Sequence, residues 1–512
     1  MHGDRGGLPS GGRRRLGAAL VAVVLLALGS AGCGGTPDGN ASTTTPVTQS
    51  VPAARAPAPA VWTACTGNTA LQCTTVTVPL DYHHPEGPSL SVAVAKATAL
   101  DPAQRIGTLF FNHGGPGESG IQLLPVMLSD IPSTIRQRFD IVSFDPRGTG
   151  ASDALDCGTS PSGATSQLPV PAAVGDPLPA TPFFTSMAEA CRSQQGALSA
   201  SLDSTNTARD MDRIRAALGL PTISYYGMSY GTVLGSVYAE LFPHRIRTMV
   251  LDGAVDVNAT LPVQSAEQAP AAERGVVHLL STCGGQSPCP LGADPIGAYR
   301  SLASSLTAQP LPAPGNGDDV PVTVGDLDTA TLFAASVPDF TLSYLAALSS
   351  AQHGNGGPLR QLALEFVTDI NGASLVDPLW AITCNDAAGH PGPVAAGALA
   401  GTLSGRYPLI GGYVANYTVA GCVAWPTARQ PVEDIHPAGA PPTLVLGNTG
   451  DPNTPLVAAV HLAAAFPKAS QLTWNGWGHT WLLSGGTDPC MRQRVTAYLV
   501  DGTLPPHGTV CP

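Results

Sequence analysis

Eight short apolar, β-branched runs, separated by stretches of helical periodicity, set the architecture of this 512-residue chain. They are TTVTVPL (74–80), LSVAVAKA (90–97), GTLFFN (107–112), FDIVSFD (139–145), TISYYG (222–227), RTMVLDG (247–253), PTLVLGN (442–448) and SQLTWNG (470–476). Runs of this length and composition read as strands. Several are apolar at nearly every position, the pattern of strands covered on both faces. The clearest helix between them is Ala208 to Leu218, where Ala208, Met211, Ile214 and Leu218 recur at three- and four-residue spacing before a stop at Gly219. The expected class is therefore α/β, a mostly parallel twisted sheet with helices on both faces. The gap of about 190 residues between the strands at 247–253 and 442–448 is too long for a loop and predicts an inserted cap subdomain. With 58 Gly and 49 Pro, about a fifth of the chain, coiled coils and long bundles are excluded. A hydrophobic fraction of 43% still leaves ample material for a core.

The N-terminus reads as an export signal. Arg13, Arg14 and Arg15 precede an apolar stretch from Leu16 to Gly29 that is short of a membrane span. Ser30-Ala31-Gly32-Cys33 follows and resembles a lipobox lacking its usual Leu, so lipidation at Cys33 and plain secretion after cleavage nearby are the two expectations. Residues 34–60 lack large apolar side chains and read as a flexible linker. The expected division is 1–33 signal, 34–60 linker, 61–256 first part of the core, 257–437 cap and 438–512 second part of the core.

Ten further cysteines stand singly along the chain, without the paired C-x-x-C spacing of zinc or redox sites, and suit up to five disulfides in an exported protein. Roughly 900 pairings are possible. Sequence neighbours give the simplest set: 65 with 73, 157 with 191, 283 with 289, 384 with 422, 490 with 511. No metal or other cofactor is expected. Neither is nucleic acid, since 24 basic against 36 acidic residues leave a formal charge of -12 and no basic surface. Membrane attachment is expected only through a lipid on Cys33.

Chemistry concentrates in four loops that follow strands. Gly227-Met228-Ser229-Tyr230-Gly231 lies between the strand at 222–227 and a good helix, which is G-x-S-x-G in the strand-turn-helix context of a nucleophile elbow. In so Gly-rich a chain the motif alone is weak, and the flanks decide. His113-Gly114-Gly115-Pro116-Gly117 follows the strand at 107–112. Acyl transfer needs two N–H donors aimed at a developing oxyanion, and the residues expected to supply them are Gly115 and Tyr230. Asp451, past the strand at 442–448, and His479, past the strand at 470–476, follow the serine in the order acid, then histidine. His479 is the expected base toward Ser229, and Asp451 the group that orients it. Asp252 is the competing acid and His113 the competing histidine, the latter read as loop scaffolding. Asp145 and Arg147, in DPRGTG, are read as a buried contact propping the oxyanion loop.

Together HGGPG (113–117), DPRGTGAS (145–152), TARDMDRIRAALG (207–219), YYGMSYGT (225–232), VLDGAVD (250–256), GDPNTP (450–455) and His479 resemble the α/β-hydrolase superfamily, and within it the serine aminopeptidases of prolyl and tripeptidyl aminopeptidase type. The resemblance spans about residues 65–511. It implies an exported bacterial exopeptidase releasing short peptides, often tripeptides, from free N-termini of peptides or proteins. The family loop often has a small residue after GGPG, whereas Glu118 stands here. Recognition of a free ammonium calls for a carboxylate, and the candidates are Asp386 and Glu118. Two other readings use the same residues: a carboxylesterase or lipase with the same triad, and a surface lipoprotein that binds ligands on a hydrolase scaffold without turnover.

Overall fold

The computed structural model describes residues 56–167, 177–285, 289–314 and 320–512. The expected signal (1–33), Cys33 with it, and most of the linker (34–60) lie outside the described residues. The described residues contain ten strands: β1 Thr63–Cys65, β2 Asn68–Pro79, β3 Ser89–Ala97, β4 Gly107–Asn112, β5 Phe139–Phe144, β6 Ile223–Met228, β7 Ile246–Asp252, β8 Thr443–Gly450, β9 Ala469–Trp477 and β10 Thr509–Cys511. They form one sheet in the order β1-β2-β3-β5-β4-β6-β7-β8-β9-β10. From β5 to β10 every pairing is parallel. β1, β2 and β3 extend one edge as an antiparallel ladder joined to β5. This mixed sheet, with its β5-β4 exchange and helical crossovers, is the α/β-hydrolase fold.

Eight of these strands coincide with the runs read from sequence. The two additional ones, β1 and β10, are three residues each, and a disulfide ties down each of them: Cys65–Cys73 joins β1 to β2, and Cys490–Cys511 joins the helix Pro489–Asp501 to β10. Both faces of the central strands are buried, as the near-continuous apolar pattern requires. In β4, Phe110 enters one core with the helices Ser204–Ala217, Tyr230–Leu241 and Leu456–Ala465. Its neighbours Leu109 and Phe111 enter the opposite core with Gly120–Met127, Ser133–Arg138 and Pro489–Asp501. Period-two alternation sends successive side chains to opposite faces, so both positions must be apolar.

Between β7 and β8 the described residues contain eight α-helices, from Leu261 to Val419. Their apolar side chains form a third cluster, and it includes Leu155, Cys157, Phe184 and Cys191 from the stretch between β5 and the helix Ser204–Ala217. Asp326, fully buried, accepts from Thr165 Oγ1 at 2.7 Å and pairs with Arg360 at 2.7 Å, pinning the two stretches together. The layer above the sheet is thus assembled from two separate stretches, where the expected division at 256/257 shows only one. The other three disulfides, Cys157–Cys191, Cys283–Cys289 and Cys384–Cys422, lie in this layer, and all five join sequence neighbours.

Candidate active site

Ser229 sits between the end of β6 and the helix Tyr230–Leu241 with φ 52° and ψ -122°, a left-handed backbone that a non-glycine residue adopts only where the surroundings enforce it. Its N–H donates to Asp252 O at 2.9 Å. A Cβ on Gly227 would stand 2.3 Å from Gly231 O, and one on Gly231 would stand 2.7 Å from Asn112 O. Those two glycines let β4, β6 and the helix converge at one point, and the convergence is what exposes the serine to a cavity above the sheet.

Asp451 and His479 meet at the same rim. His479 Nδ1 is 3.0 Å from both carboxylate oxygens of Asp451. Asp451 also accepts from the N–H groups of Asn453 (2.8 Å), Thr454 (2.9 Å) and Thr480 (3.1 Å), and from Thr454 Oγ1 (2.9 Å). The same Thr454 oxygen stands 3.2 Å from His479 Nδ1, so Thr454 fixes acid and imidazole together. His479 N–H donates to Ser336 O at 2.7 Å, the end of a cap helix. Burial pulls the imidazole pKa down, but the charge and hydrogen bond of Asp451, with smaller contributions from Asp252 and Glu118, outweigh it and raise the pKa above its ordinary value. Asp252, the rival acid, is committed elsewhere. It is fully buried and accepts from Tyr226 Oη (2.8 Å) and from the N–H groups of Trp481 (2.9 Å) and Leu482 (3.1 Å). It braces the turn that follows His479.

The loop after β4 lies against the serine. Asn112 Oδ1 accepts from Gly114 N–H at 3.1 Å, and a Cβ on Gly114 would fall 2.9 Å from Ser229 Cβ. Gly114, Gly115 and Gly117 all have φ above 100°. His113 Nε2 stands 2.9 Å from Glu118 Oε2, an ion-pair distance without the angle of a hydrogen bond. The expected Asp145/Arg147 contact is corrected: each residue is buried, with a different partner. Asp145 accepts from Ser119 Oγ (2.7 Å) and Ile121 N–H (3.0 Å), holding the end of the glycine loop. Arg147 makes two 2.7 Å bonds to Asp210.

A cavity of about 360 Å³ opens over the serine, within the range of small-ligand sites. Ser229, Tyr230, Gly115, Glu118 and His479 line it from the core side, and Asp386 and Glu365 from the cap side. Phe333, Phe366, Trp380 and Tyr417 add an aromatic wall. Three carboxylates line the cavity, and no Lys or Arg does among the described residues. Asp386 accepts from Ser204 N–H and Ser204 Oγ, both at 2.7 Å. Burial pushes its carboxyl up to about 8 against those bonds. Of the expected catalytic, oxyanion and ammonium-binding residues among the described ones, all but Asp451 line the cavity, and Asp451 stands behind it in contact with His479. Thr454, Ser336 and Ser204 were missed. Only the turn sequence GDPNTP gave a hint of the first, because a Thr three residues after an Asp is placed to bond back to it.

An elbow serine and an Asp-bonded histidine lining one cavity, at the carboxyl rim of this sheet, mark the molecule as a serine hydrolase of the α/β-hydrolase class. Sequence comparison narrows the class. A family model described as TAP-like protein matches residues 407–511. Serine protease Hip1 of Mycobacterium tuberculosis is 32% identical over 500 residues, covering 88% of this chain and 91% of its own. Carboxylesterase B of the same organism is 32% identical over 468 residues, covering 86% of each chain. Tripeptidyl aminopeptidase of Streptomyces lividans is 29% identical over 488 residues, covering 86% and 85%. The chain belongs to the α/β-hydrolase serine hydrolase family that includes Hip1 and carboxylesterase B.

Proposed function

We propose that the protein is an exported aminopeptidase that removes short peptides, such as tripeptides, from free N-termini through an acyl-enzyme on Ser229. Ser229 Oγ attacks the scissile carbonyl carbon while its proton passes to His479 Nε2, the ring nitrogen not engaged by Asp451. The carbonyl oxygen becomes an oxyanion held by the N–H groups of Gly115 and Tyr230, each contributing about 3 kcal/mol to the transition state. Collapse breaks the C–N bond, and the His479 proton goes to the departing amine. Water then attacks the ester, giving its proton to His479, and the proton returns to Ser229 Oγ as the peptide leaves.

The observation that carries the exopeptidase reading is the cavity. It is roofed by cap helices and lined by Glu118, Glu365 and Asp386 without a lysine or arginine among the described residues, which favours a substrate bearing a cationic end. Asp386 is the group we assign to the ammonium, with Glu118 beside the oxyanion loop as the second acid. Asp386→Asn is expected to raise KM for a free-N-terminal tripeptide amide far more than for an N-blocked ester, and equal effects on both substrates would discard the role. The esterase reading rests on the same serine and histidine, because acyl transfer alone does not separate an ester from an amide. Turnover of a tripeptide amide against a butyrate ester separates the two. The five disulfides support export. Attachment through a lipid on Cys33 is tested by the mass of the mature N-terminus.

A further inference from the structure

Ser204 is the first residue of the helix Ser204–Ala217 and is fully buried. Its N–H is one of the helix donors without an intrahelical acceptor, and Asp386 Oδ1 takes it at 2.7 Å. Its hydroxyl stands 2.7 Å from Asp386 Oδ2 on one side and 2.8 Å from Tyr230 Oη on the other. Tyr230 follows the nucleophile directly, and its backbone N–H is the oxyanion donor assigned above. A chain of two hydroxyls therefore runs from a carboxylate on the cavity wall to the side chain of the residue that carries that N–H.

The protons in this chain have a direction. Burial, aided by the charge of Asp386, keeps the Tyr230 phenol protonated. When Asp386 is ionised, Ser204 donates to it, and the Ser204 oxygen is free to accept from Tyr230. When Asp386 carries a proton aimed at Ser204, the Ser204 hydroxyl must turn toward Tyr230, whose own hydroxyl has no second partner among the described residues. An ionised carboxylate offers about four acceptor positions, of which Ser204 occupies two, so room remains for a cation from the cavity. A cation there holds Asp386 ionised and fixes the chain in its Tyr230-to-Ser204-to-Asp386 sense.

We propose that Ser204 is a positioning residue that couples recognition of the substrate's free amine at Asp386 to the placement of the Tyr230 N–H, so that a free N-terminus raises turnover and not only affinity. This rests on the aminopeptidase reading and adds to it. Contacts remote from the reacting bond then act in the transition state rather than in ground-state binding.

The test compares kcat for a free tripeptide p-nitroanilide with kcat for p-nitrophenyl butyrate in the wild type, Ser204→Ala, Ser204→Thr and Asp386→Asn. Ser204→Ala is expected to lower the ratio of the two kcat values by about tenfold, the scale of a lost orienting hydrogen bond. Ser204→Thr, which keeps the hydroxyl, is expected to restore most of it. A loss shared equally by the two substrates marks Ser204 as a mere structural support and overturns the proposal, as does a change confined to KM. If Asp386→Asn separates the substrates and Ser204→Ala does not, the coupling alone is wrong. If Asp386→Asn treats them alike, the amine site itself is misplaced and the coupling falls with it.

Discussion

At the residue scale, the distinction between Asp451 and Asp252 is the sharpest consequence of the geometry. Both are buried acids at the rim, but only Asp451 faces His479 Nδ1, while Asp252 is engaged by Tyr226 and two backbone N–H groups. Asp451→Asn is expected to lower kcat by about 10⁴-fold through the wrong imidazole tautomer. Asp252→Asn is expected to lower the melting temperature first, with kcat kept within about tenfold. Steady-state kinetics and thermal melts of the two variants decide between the acids. Thr454→Val removes the bond shared by acid and imidazole and is expected to cost about tenfold in kcat, with Thr454→Ser near the wild type. The raised pKa of His479 has a signed consequence. Neutral imidazole is the form that accepts the Ser229 proton, so kcat should rise with pH, with a midpoint above the ordinary histidine value of about 6.5. A pH–rate profile with its acid limb below that value contradicts the assignment.

Among the elements, the cap carries its own pH response. Asp328, on the cap helix Val324–Ser336, accepts from Tyr299 Oη at 2.8 Å, and burial pushes its carboxyl up to about 8. The folded state then holds a proton that the unfolded chain releases above about 4, so this contribution is present at low pH and is lost as pH rises through about 8. Asp386, at about 8, and Asp203, at about 6, act in the same sense. Asp328→Asn keeps an acceptor for Tyr299 and removes the charge. Its melting temperature should decline less between pH 5 and about 9 than that of the wild type, whereas parallel curves would show that Asp328 is not the source. Elements long enough to show a period were legible in the sequence, and so were the loops that end β4, β6, β8 and β9, because glycine and strand-end chemistry are local. β1 and β10, at three residues each, are too short to carry a pattern. The helices Pro161–Gln167 and Thr181–Ser199 went unread, since their burial against the cap depends on long-range partners such as Asp326 and Trp380. Ser204 escaped for the same reason: its partner Asp386 lies 182 positions away.

For the whole molecule, an apolar double-faced sheet, a capped acidic cavity and five disulfides describe an enzyme suited to an oxidising compartment. Among the described residues no helix is long and apolar enough to cross a membrane. Denatured without reductant, the chain from residue 56 onward should present no free thiol to a maleimide, and ten after reduction. Partial labelling before reduction would break the pairing. The central claim is that acyl transfer runs through one hydroxyl, that of Ser229, and the most direct measurement is peptide mapping by mass spectrometry after reaction with a fluorophosphonate. A single adduct is expected on the peptide containing Ser229, absent in Ser229→Ala together with all hydrolysis of a tripeptide amide. An adduct on another residue, or peptide turnover surviving in Ser229→Ala, would contradict it.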